Sequence, residues 1–461
     1  MAATKSMSVV ARWRPLVDSE DSISEISRTT TQKAGDKDGN LLLHSVSIAR
    51  QTDNTAATFT RNKPQTWTSS AAFRAVFQPD DDNQILYDKV VTPAVPHVLQ
   101  GGRSSVFAYG HSGSGKTHTI LGYDDKADGL YLLAAQQLFA AVTEWNSTNS
   151  TTTDTRLGLG FRLFEMRKKM AVDLLDGHKE CHVREGADGR VHIRGETQML
   201  EGGKVRVSPI VQQCCWSYLE FCEALTTALA GRSVGSSSVH RQSSRTHAIL
   251  ELEIVSAALV TAREAVVDRL SELVPVGKRA TDISIEEQTK GIVLKPGGGW
   301  APNPDYTVNQ ERIDAAEAEK NKFEARVADA EAHVDDLIAS RVAPSLGGKM
   351  VFVDLAGAEY HQDSTTGPRQ ASVRQTPQER QEAQQINTDL LALKEVMRAW
   401  SSNQPRIPFR SSALTMVLRE HFVASTDGHS TMIVTVSPSD EQYAATLNSL
   451  KYGSLVGMVK A

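Results

Sequence analysis

The chain has 461 residues, 40% of them hydrophobic, which is enough to bury a large core and excludes a wholly disordered polymer. Lys plus Arg number 50 and Asp plus Glu 55, a formal net charge of −5, so the chain has no global basic field with which to coat nucleic acid. Cys181, Cys214, Cys215 and Cys222 fit neither a disulfide framework nor the paired CxxC spacing of a zinc site, and the reducing cytosol is the expected compartment. MAATKSMSVV carries no apolar signal core. No stretch of ~18 apolar residues occurs either, so neither secretion nor membrane spanning is expected.

In chain order, Ser6 to Trp13 reads as a strand that stops at Pro15, and residues 17–65 read as polar and irregular around Leu41-Leu42-Leu43. Helical spacing follows from Tyr87 to Leu99, then a buried strand from Ser104 to Tyr109 that runs into a glycine-rich turn. Leu130 to Val142 has helical periodicity, and the Ser/Thr/Asn tract in 146–158 reads as a low-complexity surface loop. Strands are expected within 160–175 and 183–193, a helix over 218–230, and a strand from Thr246 to Val255. Further on come a strand from Lys349 ending in Asp354, helices over 378–400 and 412–422, a strand over 431–436 and a last helix from Tyr443. Strands alternating with helices predict an α/β sheet covered on both faces.

Residues 257–347 break this pattern and read as an inserted segment. It holds the Gly/Pro stretch Lys295-Pro296-Gly297-Gly298-Gly299 and a charged run from Asn309 to Ser340. Phe323, Val327, Ala330, Val334 and Leu337 recur by four and three, the spacing of an a/d seam. Val266, Leu270 and Leu273 are candidate partners in a coiled-coil hairpin; a solvated amphipathic helix on the domain surface is the plainer reading. Inserting this much chain is cheap because loop-closure cost grows only logarithmically with length. It is a candidate surface for a partner or for self-association.

The chemistry concentrates in three places. Gly110-His111-Ser112-Gly113-Ser114-Gly115-Lys116-Thr117 fits G-x-x-x-x-G-K-[ST] after an apolar strand and before a helix, as a phosphate loop requires. Glycines let backbone N–H groups form a nest around phosphate oxygens, and the helix N-terminus adds its positive end. Lys116 is placed to reach the β- and γ-phosphates, and the Thr117 hydroxyl to ligate Mg²⁺. Asp354, ending the buried run Val351-Phe352-Val353, supplies the acid that such a metal needs. It continues into Leu355-Ala356-Gly357-Ala358-Glu359, where Gly357 allows a close backbone approach to a γ-phosphate. Ser243-Ser244-Arg245-Thr246-His247 sets two hydroxyls beside an arginine, which suits a loop closing over metal and phosphate.

Taken together, these motifs resemble the kinesin motor domain: residues 107–120 its phosphate loop, 243–247 its first switch and 354–359 its second. Arg12-Trp13-Arg14-Pro15 resembles the R-x-R-P of its first strand, and residues 161–175, 383–393, 407–415 and 446–453 resemble later family blocks. The resemblance spans roughly 9–256 and 348–460. It implies a P-loop NTPase fold with a central, mixed, mostly eight-stranded sheet between helical layers, ATP and Mg²⁺ as cofactors, microtubules as partner and the cytoskeleton as location, with no role for nucleic acid or membrane. By the same resemblance Arg12, Arg14 and Pro15 flank the adenine, Tyr87 stacks on the base, and Gly110 to His118 hold the phosphates. Ser243 positions the attacking water, Ser244 joins Thr117 and Asp354 at the metal, and Arg245 pairs with Glu359 to close the switches.

The chain departs from the family pattern in places. His111-Ser112 replaces the usual Gln-Thr, and His240 replaces an Asn. On the presumed track face, Thr388 and Asp389 stand where Lys-Ser is usual, and Ala413 replaces another lysine, while Arg406, Arg410, Lys394 and Arg419 remain nearby. Fewer cations weaken steering toward an acidic polymer. Two readings follow: a microtubule-stimulated motor ATPase, or a non-motile nucleotide-gated binder with a weakened track surface. The segment 391–400 and IPFR most resemble internal-motor, microtubule-depolymerising kinesins. A GTPase is disfavoured because no N-K-x-D follows the phosphate loop. The sequence stops just past the last motor helix, as an excised motor domain or a minimal motor would.

Overall fold

The computed structural model describes residues 7–18, 20–23, 25–33, 41–50, 65–123, 127–149, 155–186, 189–233, 246–296, 298–340, 343–357, 377–402, 404–423 and 430–458. The strands in chain order are β1 (Met7–Trp13), β2 (Glu25–Lys33), β3 (Leu41–Arg50), β4 (Gln65–Thr68), β5 (Ala75–Phe77), β6 (Arg103–Tyr109), β7 (Gly122–Tyr123), β8 (Ala127–Asp128), β9 (Leu157–Arg167), β10 (Met170–Asp173), β11 (Lys179–Glu185), β12 (Val191–Met199), β13 (Val205–Pro209), β14 (Gln213–Cys215), β15 (His247–Ser256), β16 (Ile292–Leu294), β17 (Trp300–Pro302), β18 (Lys349–Asp354) and β19 (Ser430–Val436). The α-helices are α1 (Asn83–Val90), α2 (Val95–Val98), α3 (Lys116–Ile120), α4 (Leu130–Asn149), α5 (Tyr218–Ser233), α6 (Ala257–Lys290), α7 (Gln310–Ala339), α8 (Pro377–Ser401), α9 (Ala413–Val417), α10 (Arg419–Val423) and α11 (Tyr443–Gly457).

One twelve-stranded sheet organises the chain, in the order β13-β12-β11-β10-β9-β15-β18-β6-β19-β1-β5, with β14 paired to β9. Strands β18, β6, β19, β1 and β5 are parallel; the pairs from β18 through β15 to β13 are antiparallel. The sheet exceeds the expected eight strands mainly because the meander β10 to β13 extends one side. Alternation along the strands splits the core. Phe107 and Tyr109 of β6 and Val351 and Val353 of β18 face a cluster built with α8 and α11. Val106 and Ala108 of β6 and Met350 and Phe352 of β18 face a second cluster built with α1, α4 and α5. Period two across a sheet buried on both faces produces this division.

Three segments differ from the sequence reading. Residues expected to be irregular within 17–65 include β2 and β3, which form an antiparallel sheet with β4 just beyond. Val46 and Ile48 of β3 are buried in the first cluster, and Arg50 pairs with Asp440 at 2.8 Å. The expected helix over 87–99 breaks between α1 and α2, where a 3₁₀ turn holds Pro93; proline lacks the N–H that a continuous helix needs. Helix α4 runs on to Asn149, into the Ser/Thr/Asn tract. Asn146 holds both backbone groups of Leu157, donating to its carbonyl and accepting its N–H, each at 2.8 Å.

Within 257–347, α6 follows β15 directly, capped by Ser256, whose hydroxyl accepts from the Leu259 N–H. Helices α6 and α7 lie antiparallel, as the pairs Arg326–Glu272 and Arg312–Glu287 require, and β16-β17 forms the far turn. Val327 is buried, as are Val276 and Ala280 on α6, whereas Leu270 is 46% exposed and faces the cleft between α6 and the sheet. No described helix is long and apolar enough to cross a membrane. The four cysteines are free.

Candidate active site

Parallel pairing of β18 with β6 sets Asp354 beside Ala108, so both strands deliver their C-terminal ends to one place. Ligand sites of open α/β sheets form beyond such strand ends. After Tyr109 the chain turns through the glycine loop into α3. Gly113 and Gly115 have φ of 75° and 98°, in the left-handed region that a side chain resists. Gly110 is required for a different reason: a Cβ there would meet the Thr435 carbonyl at 2.3 Å. Ser114 and Thr435 then share a hydroxyl–hydroxyl bond of 2.7 Å that ties the loop to β19.

Lys116 is buried, and its ammonium donates to the carbonyls of Gly110 (3.1 Å) and His111 (2.8 Å). Burial pulls it down to about 8 while Asp354 opposes that shift, so it keeps most of its charge at neutral pH. The Thr117 hydroxyl donates to Asp354 Oδ2 at 2.8 Å. A hydroxyl and a buried carboxylate side by side are hard oxygen donors of the kind that Mg²⁺ prefers, so this pair fits a magnesium site.

The second strand end closes onto the loop. A Cβ on Gly357 would lie 2.8 Å from the Ser112 nitrogen, so the chain after Asp354 lies against the phosphate loop backbone. His111, in place of the family glutamine, is buried; its ring bonds the Ser112 carbonyl at 2.9 Å and the Thr446 hydroxyl of α11 at 3.3 Å. Burial pushes its pKa down to about 4, so it is a neutral spacer rather than a cation. His118 is half-buried and its pKa is lowered by burial and by Arg12.

The strand-one residues divide. Arg12 is buried and committed: it donates to Asn83 Oδ1 at 2.5 Å and Thr119 Oγ1 at 2.8 Å, joining α1 to α3, and burial lowers its pKa to about 10. Arg14 lies near Gly115 and forms a two-pronged pair with Glu20 at 2.5 and 2.8 Å, while Pro15 is exposed. Tyr87 corrects an expectation. Its ring is 4% exposed inside the second core cluster and its hydroxyl donates to Gln137, so in this conformation it is a core residue and not a free face for a base. Ser243, Ser244, Arg245 and Glu359 lie outside the described residues, as does His240. Sequence reasoning gave no role to Glu20, Asn83, Thr119, Thr435 or Thr446; Glu20 lies six positions from Arg14, but the other four reach Arg12, Ser114 and His111 across 71 to 335 positions and leave no local signal.

The expected track face also differs in detail. Asp389 does not add surface charge: it is 4% exposed, and burial raises its pKa to about 6 against hydrogen bonds from Gln385 and Ser412. Arg410 and Arg419 both pair with Glu185 of β11, at 2.7 and 3.1 Å.

A model of the kinesin motor domain matches residues 12–275 and 326–459. The chain belongs to the kinesin motor-domain family. The unmatched stretch, 276–325, covers the far half of the α6–α7 hairpin. Kinesin-like protein KIN-13A of Oryza sativa subsp. japonica is 29% identical over 384 residues, 83% of this chain and 34% of that protein. Human kinesin-like protein KIF24 is 25% identical over 388 residues, 84% of this chain and 20% of that protein. The chain therefore spans about a third or less of these relatives. Among solved structures, the motor domain of the Kar3-like kinesin from Ashbya gossypii matches with a TM-score of 0.55 at 19% identity, over 98% of this chain and 99% of that one. A fast kinesin matches with a TM-score of 0.56 at 20% identity, over 100% and 93%. At such identities these structures share the kinesin fold with this chain.

Proposed function

We propose that this kinesin-family chain is a Mg²⁺-dependent ATPase that couples γ-phosphate sensing, through the loops around 243–245 and 357–359, to microtubule affinity. The observation that carries this reading is the Thr117–Asp354 pair at 2.8 Å beside a buried, mostly charged Lys116. Magnesium, when bound, neutralises charge developing on the β- and γ-phosphate oxygens; Thr117, Asp354 and Ser244 would hold it. Lys116 would exchange its two loop carbonyls for phosphate oxygens, a swap that keeps its hydrogen bonds while gaining opposite charge. Gly357 would offer its amide to the γ-phosphate. Arg245 and Glu359 would close the site, with Ser243 and Glu359 orienting the attacking water. Arg14 and Pro15 would border the adenine. This machinery works by positioning and charge stabilisation rather than covalent catalysis.

A second reading, a nucleotide-gated binder with a weakened track surface, is favoured by one specific arrangement. Arg410 and Arg419 share Glu185, so one of the two positive charges they bring to the expected track face is already offset internally. Steady-state ATPase with and without taxol-stabilised microtubules, at low and moderate salt, separates the readings. Stimulation that fades with salt supports a track-coupled motor. Turnover without stimulation supports the binder, and no turnover under any condition overturns both.

A further inference from the structure

The β15–β18 ladder ends at the Ala248–Asp354 pair. Two residues beyond Asp354, the Ala356 N–H is no longer met by a backbone carbonyl of β15. It donates instead to the Nδ1 of His247, at 3.0 Å, in a buried bond. His247 is 2% exposed and sits between β9 and the strand end, opposite Met166. Its position is therefore fixed by the sheet on one side and by the chain entering the second switch on the other.

This bond has two consequences. An Nδ1 that accepts a hydrogen bond must carry a lone pair, so the proton of the neutral ring resides on Nε2. That Nε2 is buried and has no hydrogen-bond partner among the described residues. The Thr246 hydroxyl beside it in sequence is likewise buried without one. Protonation of Nδ1 would replace an acceptor with a donor aimed at the Ala356 N–H. Burial and the nearby Lys116 charge hold the pKa of His247 down to about 3, so the acceptor persists at any physiological pH.

We propose that His247 is a positioning residue that latches the second switch to the phosphate loop: its Nδ1 fixes Ala356, and Ala356 fixes the Gly357 backbone against Ser112. Gly357 follows Ala356 directly, so losing the Nδ1 acceptor frees a backbone group that holds Gly357 from the β15 side. The Gly357–Ser112 approach leaves no room for a Cβ, so small displacements of Ala356 are felt at the loop. The role extends the ATPase reading above and rests on it for its effect on turnover, but the latch itself is a property of the folded chain.

The test compares His247→Ala with His247→Asn in the full chain. Asparagine keeps an acceptor oxygen near the place of Nδ1; alanine does not. Two quantities are read: the exchange rate of the Ala356 amide by hydrogen–deuterium exchange, and kcat and KM for ATP. The expected result is exchange at Ala356 faster by about tenfold or more in the alanine variant, the change that losing one such bond brings. A fall in kcat with a smaller change in KM should accompany it, and asparagine should restore both. Unchanged Ala356 exchange in the alanine variant overturns the latch. So does asparagine behaving like alanine while both fold with the wild-type circular dichroism spectrum. A wild-type chain without turnover would sink the ATPase reading alone, and the exchange comparison would still decide the latch.

Discussion

The two ends of β15 are held by opposite means. At His247 the contacts are hydrogen bonds and close approach to backbone rather than ion pairs: a ring nitrogen on a backbone amide, a glycine against a loop, and nearby a buried ammonium held by two carbonyls. At Ser256 the strand passes into α6, and the attachment is ionic. Arg263 of α6 grips Glu253 of β15 through two bonds, 2.7 and 3.0 Å, and Gln212 adds a third at 2.7 Å. Past that point the hairpin is clasped by partly exposed pairs such as Arg326–Glu272 and Arg206–Asp268. A site that must keep one geometry uses short hydrogen bonds to backbone and close backbone approach. An element added at the edge needs one buried anchor and a solvated exterior.

The strongest way to break this contrast is to cut the anchor. Arg263→Ala leaves Glu253 buried with the Gln212 amide, Lys349 at 4.0 Å and the more distant Arg162 charge. It should cost about 3–5 kcal/mol in urea unfolding, because a buried charge loses its main partner. Despite burial, Lys349 and Arg263 hold the Glu253 carboxyl far below its ordinary value. The stability it contributes is therefore present above the unfolded value near pH 4.5 and lost as pH falls below it. Replacing both partners by Gln and Met should recover most of the loss.

At the other end, Lys116→Ala should weaken binding of a fluorescent ATP analogue on the order of 100-fold or more, through lost charge-assisted bonds to phosphate. Amide exchange in α7 should stay unchanged. Asp389 sharpens the contrast as a buried acid that has an amide and a hydroxyl for partners rather than a cation. Its folded pKa is raised, so between its unfolded value and about 6 the folded state binds the extra proton and stability falls as pH rises. Asp389→Asn should stabilise the fold by roughly 2 kcal/mol at neutral pH and by nothing below about pH 4, read by thermal melts. The smallest effect belongs to Tyr87→Phe: about 1 kcal/mol lost with the Gln137 hydrogen bond, and no change in KM for ATP. A raised KM there would return Tyr87 to the base.

What the sequence made legible was local. The phosphate loop, Asp354 and Gly357 stand within short motifs whose glycines and flanking apolar strands state their own geometry. The α/β alternation likewise follows from runs such as Val351-Phe352-Val353. Contacts closed through the sheet left no such trace: Thr435 on Ser114, Thr446 on His111 and Glu185 on two arginines are ordinary residues until the fold joins them. Strands β2 to β4 escaped notice because β2 is mostly polar and β3 buries only part of its alternation. An aromatic on an amphipathic helix looks alike in sequence whether it faces core or ligand, and the fold packs Tyr87 in the core. Spacing makes Leu270 a candidate for the helix seam, and spacing alone does not reveal that it is 46% exposed.

The direct passage of β15 into α6 has a mechanical reading. No residue separates strand from helix, and Pro275, midway along α6, lies near Gly203. A helix of 34 residues is about 50 Å long, so a tilt of about 5° at its root moves its far end by about 4 Å. The turn at that end carries Trp300, 65% exposed. A strand whose first residue touches the second switch thus ends in a pointer, and a dye or spin label beside Trp300 would magnify, at the molecule's rim, displacements too small to see at the phosphate loop.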